Sequence, residues 1–119
     1  MIPKLESAYI SVENIDRAIN FYEWFLKRKA TKKGDSLYLY NLDTFRLFLF
    51  DHNNEDEEIK YGDNCLLSFE VEDAKKTEEQ IRKRGLKIVF PLKKILNNLV
   101  FEFEDPEGNH IEVFSTASK

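Results

Sequence analysis

An internal repeat constrains this chain more than any other feature of its sequence. Val12-Glu13-Asn14 closes one alternating segment and opens an amphipathic one, and Val71-Glu72-Asp73 does the same further along. Before the first copy, Ala8, Ile10 and Val12 share one face of a period-two segment, with Ser7, Tyr9 and Ser11 on the other. Before the second copy, Leu67, Phe69 and Val71 alternate in the same way with Leu66, Ser68 and Glu70. Asn14 and Asp73 are both suited to cap a helix, because their short side chains accept from the free N–H groups of a first turn. Two strand-into-helix units within 119 residues predict one domain built from two halves.

The segments that follow each cap extend the match. Ile15, Ala18, Ile19, Tyr22 and Leu26 have helical spacing, and Phe21, Trp24 and Phe25 widen that apolar surface, to be covered by the core or by another subunit. Gly34-Asp35 marks a turn before a strand at Leu37 to Tyr40, and Asn41 to Thr44 turns the chain into a strand at Phe45 to Phe50, with Arg46, Phe48 and Phe50 on one face. A further short strand fits between the helix and the first turn. Segment 53–64 is acidic and polar and reads as a linker, with Glu55 to Glu58 solvated and His52 a surface residue. A second helix runs from Asp73 to Arg84 with a thin stripe of Ala74, Thr77 and Ile81, closed by Gly85. Leu86 to Phe90 then reads as a strand ended by Pro91, and Leu99 to Phe103 as the next. The predicted class is α+β: two βαβββ modules, about 5–52 and 65–116, forming one curved mixed sheet around a cleft, with the helices outside.

The chain ends in a predicted hairpin. Asp105 and Pro106 suit the first positions of a type I turn and Gly108 its exit. In the strand beyond, Ile111 and Val113 face one way and His110, Glu112 and Phe114 the other. Glu112 therefore lies either on a solvated sheet face or in a pocket. Alternation does not fix the side on which Glu102 lies.

Composition removes several classes of function. A net charge of −4 gives no broad footprint for nucleic acid, and no apolar run approaches membrane-spanning length. Cys65 is the single cysteine and cannot form an intrachain disulfide, and Met1 to Glu6 lacks the regions of a signal peptide, so the expected setting is the cytoplasm. The four glycines are scattered among turns rather than grouped in a phosphate loop. Lys27 to Lys33 follows a helix, where it complements the helix dipole.

Ala8 to Leu26, with Val12, Asn14-Ile15 and Phe21-Tyr22, and the closing Asp105-Pro106-Glu107-Gly108-Asn109 followed by Ile111-Glu112 together resemble the vicinal-oxygen-chelate superfamily of glyoxalase I, extradiol dioxygenases and bleomycin-resistance proteins. The resemblance spans nearly the whole chain. It implies four metal-ligand slots, on the first and last strands of each half, which fall here on Ser7, Phe48, Leu66 and Glu112. Only Glu112 keeps a ligating side chain, and His110 would add a second donor. A catalytic divalent site generally needs about three protein ligands, so neither metal nor other cofactor is expected.

What remains of the implied cleft is a lining of Ser7, Tyr9 and Ser11 from the first strand, Phe48 and Phe50 from the fourth, Leu66, Ser68 and Glu70 from the second repeat, and His110 and Glu112 from the last strand. Aromatic faces and carboxylates suit a flat or cationic small molecule. The leading expectation is a metal-independent binding protein resembling the bleomycin-resistance group, acting as a homodimer. The alternative is an enzyme with Glu112 as general base, assisted by His110 or Tyr9, acting on an activated carbon acid or an epoxide. A third reading is an interaction or regulatory module without a small ligand.

Overall fold

The computed structural model describes residues 6–51 and 66–117. The expected linker, His52 and Cys65 lie outside them. The chain divides into two compact units, Met1–Lys60 and Tyr61–Lys119, each with its own sheet and helix.

In the first unit β1 (Ser7–Val12) leads into α1 (Ile15–Leu26), followed by β2 (Thr31–Lys32), β3 (Leu37–Asn41) and β4 (Arg46–Asp51). The sheet order is β1-β4-β3-β2, with β1 parallel to β4 and the other pairs antiparallel. A parallel neighbour requires a crossover, which α1 supplies. Asn14 caps the helix as its sequence predicts, the side chain accepting from Arg17 N at 3.0 Å. Ala18, Phe21 and Tyr22 form its buried stripe. Tyr22 meets Tyr40 across the helix–sheet contact, ring centroids 6.3 Å apart, and the Tyr40 hydroxyl donates to Ile19 O at 3.5 Å. Burial, and secondarily the charge of Glu23, raises the Tyr40 phenol well above its ordinary ionisation range.

The expected dipole complement of Lys27 to Lys33 takes a narrower form. The last turn of α1 holds no basic residue. Lys27 instead ends the helix in the left-handed region, φ 57°, with its Nζ donating to Trp24 O at 3.4 Å, and Thr31-Lys32 supplies the extra short strand.

The second unit repeats this plan with β5 (Leu67–Glu70), α2 (Ala74–Lys83), β6 (Ile88–Ile95), β7 (Asn98–Glu104) and β8 (His110–Thr116), in the order β5-β8-β7-β6. Both units are thus βαβββ modules, and the α+β class holds. Asp73 caps α2 by accepting from Lys76 N at 3.1 Å, and buried Ser115 ties the same end to the sheet by accepting from Ala74 N at 3.0 Å. Gly85 follows the helix with φ 77°. The stripe of α2 is as thin as expected, with Ala74 and Ile81 buried. Phe101, Phe103, Ile111 and Val113, all fully buried, form the sheet face behind it.

One strand differs from its reading. Pro91 does not end β6, which continues to Ile95. β6 is an edge strand, where a missing donor breaks no ladder bond, and its register to β7 shifts between Ile88 and Phe90 and again between Phe90 and Lys93. Glu78 of α2 accepts from Leu92 N at 2.7 Å, satisfying a donor at the irregular stretch.

Candidate functional site

Pairing register fixes which side chains share a face. In the first unit Ser7, Tyr9 and Ser11 lie opposite Arg46, Phe48 and Phe50, on the side of the sheet away from the buried Ile10, Val12, Leu47 and Leu49. Tyr9 is 61% exposed and stacks on buried Phe48, ring centroids 4.6 Å apart and planes at 11°. The Arg46 guanidinium lies 5.3 Å from the Phe48 ring centroid and pairs with Glu6, whose hydrogen bond keeps Arg46 firmly protonated. Phe48 is thus covered by two of its neighbours on a face that carries no helix.

In the second unit Ser68 lies opposite Glu112 and Glu70 opposite Phe114. The Ser68 hydroxyl donates to Glu112 Oε2. The antiparallel neighbour settles the side of Glu102: it faces Glu112 directly, and Glu104 faces His110. Like charges opposed across a strand pair destabilise it unless each finds a partner. Glu112 has Ser68. Glu102 has His110, whose Nδ1 lies 2.8 Å from Glu102 Oε2. Glu104 pairs with Lys87 Nζ at 3.3 Å and lies 3.7 Å from His110 Nε2.

The structure therefore joins Tyr9 with Phe48 and Ser68 with Glu112, while His110, on the same face as Glu112, is paired with Glu102. Glu70 is exposed and Leu66 is 40% exposed, just ahead of β5. Ser7, Ser11 and Phe50 are half-buried on the first unit's face. Alternation within one strand gives neither Glu104 as a site residue nor a side for Glu102. Their signal was present: Phe101 and Phe103 are both core residues, which sends Glu102 and Glu104 together to the opposite face.

Strand register also shows which of the positions implied as metal slots correspond between the two units. Tyr9 pairs with Phe48 as Ser68 pairs with Glu112, so Phe48 is the counterpart of Glu112 and Ser7 that of Leu66. In the first unit these positions hold a serine and a buried phenyl ring, and in the second a leucine accompanies the one carboxylate, so neither unit supplies a chelate. Among the described residues no group of three His, Cys, Asp or Glu side chains is placed to hold a metal ion. The donor set does not fit the divalent site of the superfamily's enzymes.

The comparisons agree with this architecture. The structure is similar to a glyoxalase/bleomycin resistance protein/dioxygenase from Nocardioides, at 17% identity and a TM-score of 0.74, covering 98% of this chain and 85% of the other. It is similar to a protein from Agrobacterium tumefaciens solved in solution, at 18% identity and a TM-score of 0.81, covering 98% and 100%. An integron cassette protein of V. cholerae gives 24% identity and a TM-score of 0.70, covering 97% and 96%. At such identities the likeness is one of fold. No curated protein matches the chain. The model of the glyoxalase-like domain matches residues 5–118. With nearly every residue inside that match and both βαβββ modules in place, the chain belongs to the glyoxalase-like domain family of the vicinal-oxygen-chelate superfamily.

Proposed function

We propose that this protein binds a small organic molecule without a metal ion, in the manner of the bleomycin-resistance group, and that it works by equilibrium binding rather than turnover. The observation that carries the reading is the fate of the paired slots. Glu112 is engaged by Ser68, and its counterpart Phe48 is buried beneath Tyr9. Phe48 offers a ligand stacking surface through Tyr9, where a metal site would need a donor. The exposed Tyr9 ring suits a flat group, and the carboxylates of Glu102, Glu104 and Glu112 suit a cationic one. A homodimer is part of the proposal, and light scattering of the purified protein tests it.

Calorimetric screening of aromatic and cationic compounds in excess chelator tests the function. Saturable binding that survives the chelator supports it, and Glu112→Gln then changes affinity with no catalytic activity to lose. Turnover abolished by Glu112→Gln would instead favour an enzyme with Glu112 as general base. A chain that binds none of these compounds would favour an interaction module.

A further inference from the structure

The basic run that follows α1 borders a cavity that the open sheet faces do not use. Glu23, Trp24, Lys27, Arg28 and Lys29 line an open space of about 460 Å³ where the helix ends. Cavities of about 300–1,000 Å³ hold small molecules. α1 meets the sheet through Tyr22 and Tyr40, and Tyr40 lies opposite Leu47, next along the strand from Phe48 and so on the other face. The cavity is therefore built on the side of the first sheet away from Tyr9.

Its lining has one apolar wall and an excess of positive charge. Trp24 is half-buried, with its ring centroid 5.8 Å from that of Phe21 and 6.2 Å from that of Phe25. The Lys27 ammonium lies 5.6 Å from the Trp24 ring centroid and donates to Trp24 O, which leaves two of its three N–H groups. Lys29 is exposed, with no ion pair among the described residues. The lining's one carboxylate, Glu23, is turned to the backbone and accepts from Ala30 N at 3.2 Å. One Arg28 nitrogen meets Asp43 at 3.1 Å; both side chains are exposed, so the pair is weak and the other guanidinium donors stay open.

The helix end alone does not explain this charge. A helix C-terminus attracts a cation, and the contact of Lys27 with Trp24 O meets that need. It calls for neither Arg28 nor Lys29 in the same lining, nor for a lysine at φ 57°, a conformation that suits glycine. Lysine at that position keeps an ammonium beside the cavity despite backbone strain that glycine would avoid.

We infer that this cavity binds the phosphate monoester of a small aromatic molecule, with the phosphate among Lys27, Arg28 and Lys29 and the ring against Trp24. Lysine meets phosphate as a point charge and arginine through its fork of donors. A concave site of this volume favours a small molecule over an extended acidic chain. The site is separate from the one proposed above and does not rest on it.

Trp24 is the chain's single tryptophan, so its indole gives one side-chain signal in a proton–nitrogen spectrum of the full ¹⁵N-labelled protein. Phenyl phosphate is expected to shift that signal and the amides of Lys27, Arg28 and Lys29 saturably. Lys27→Gly and Lys29→Gln, each checked for folding by its amide spectrum, should weaken binding about fivefold, the upper range for an exposed ion pair. Lys33→Gln removes the same charge outside the lining and should leave binding intact. No response to phenyl phosphate, or an equal loss in Lys33→Gln, overturns the site. A response to benzoate as strong as that to phenyl phosphate overturns the phosphate assignment. A response to an oligoglutamate peptide alone overturns the small-molecule class in favour of an acidic protein segment. Each of these results leaves the calorimetric screen for cationic compounds unchanged, so the two readings fail separately.

Discussion

The two modules share one topology and carry opposite chemistry on corresponding strands. Where β1 meets β4, an exposed Tyr9 covers a buried Phe48 and Arg46 lies against the same ring. Where β5 meets β8, Ser68 holds Glu112, and the adjoining Glu102 holds His110. The backing differs too. Behind the first sheet α1 contributes Phe21 and Tyr22, whereas α2 contributes only Ala74 and Ile81 to the buried set. The difference shows how a repeated fold divides its work. The strand plan fixes which positions share a face, and the side chains at those positions decide whether the face is an aromatic surface or a set of hydrogen-bonding and charged groups.

Core truncation gives the largest test of this contrast. Tyr22→Ala should cost about 3–5 kcal/mol and Ile81→Ala about 2–4 kcal/mol in denaturant unfolding, because the larger ring leaves the larger cavity. Equal costs would mean that α2 is held as deeply as α1. Alkaline pH should separate the modules next. The Tyr40 phenol is raised above the unfolded-state value of 10.0, so the folded protein holds that proton longer than the unfolded chain. The resulting stability is complete below pH 10 and declines as pH rises above it. Tyr40→Phe should flatten that decline in a pH series of unfolding midpoints, whereas Ile81→Val should leave its slope unchanged.

Smaller effects are expected where the helices end. Gly85→Ala should cost about 1 kcal/mol, since any side chain at φ 77° is strained. Lys27 already bears that strain at φ 57°, so Lys27→Gly should be neutral or stabilising by up to about 1 kcal/mol once the lost contact with Trp24 is included. A change of similar size is expected for Tyr9→Ser, which gives the first module the residue found in the second. Loss of one ring stack should lower stability by about 0.5–1.5 kcal/mol and remove the aromatic preference in binding.

Much of this was legible in the sequence because it rests on local physics. Asn14 and Asp73 announced their helices through capping chemistry, and the turn from Asp105 to Gly108 forms as its residues demand, with Gly108 N donating to Asp105 O at 3.1 Å and Asp105 Oδ1 accepting from Glu107 N and Asn109 N. Alternation assigned the faces of Tyr9, Phe48, Ser68 and Glu112 correctly. What it could not show were relations between strands. Pro91 signals a stop only in a strand whose donors are needed, and the edge position of β6 was not visible locally. The pairing of Glu102 with His110 likewise depends on register across β7 and β8, so His110 looked like an accessory to Glu112 when its own partner is Glu102.

The central claim is that the site works without a chelated metal. Elemental analysis of the purified full chain, after equilibration with zinc, nickel and manganese and then dialysis, tests it most directly. The account predicts far less than one metal per chain, unchanged by Glu112→Gln. One metal per chain, lost in Glu112→Gln, would contradict it.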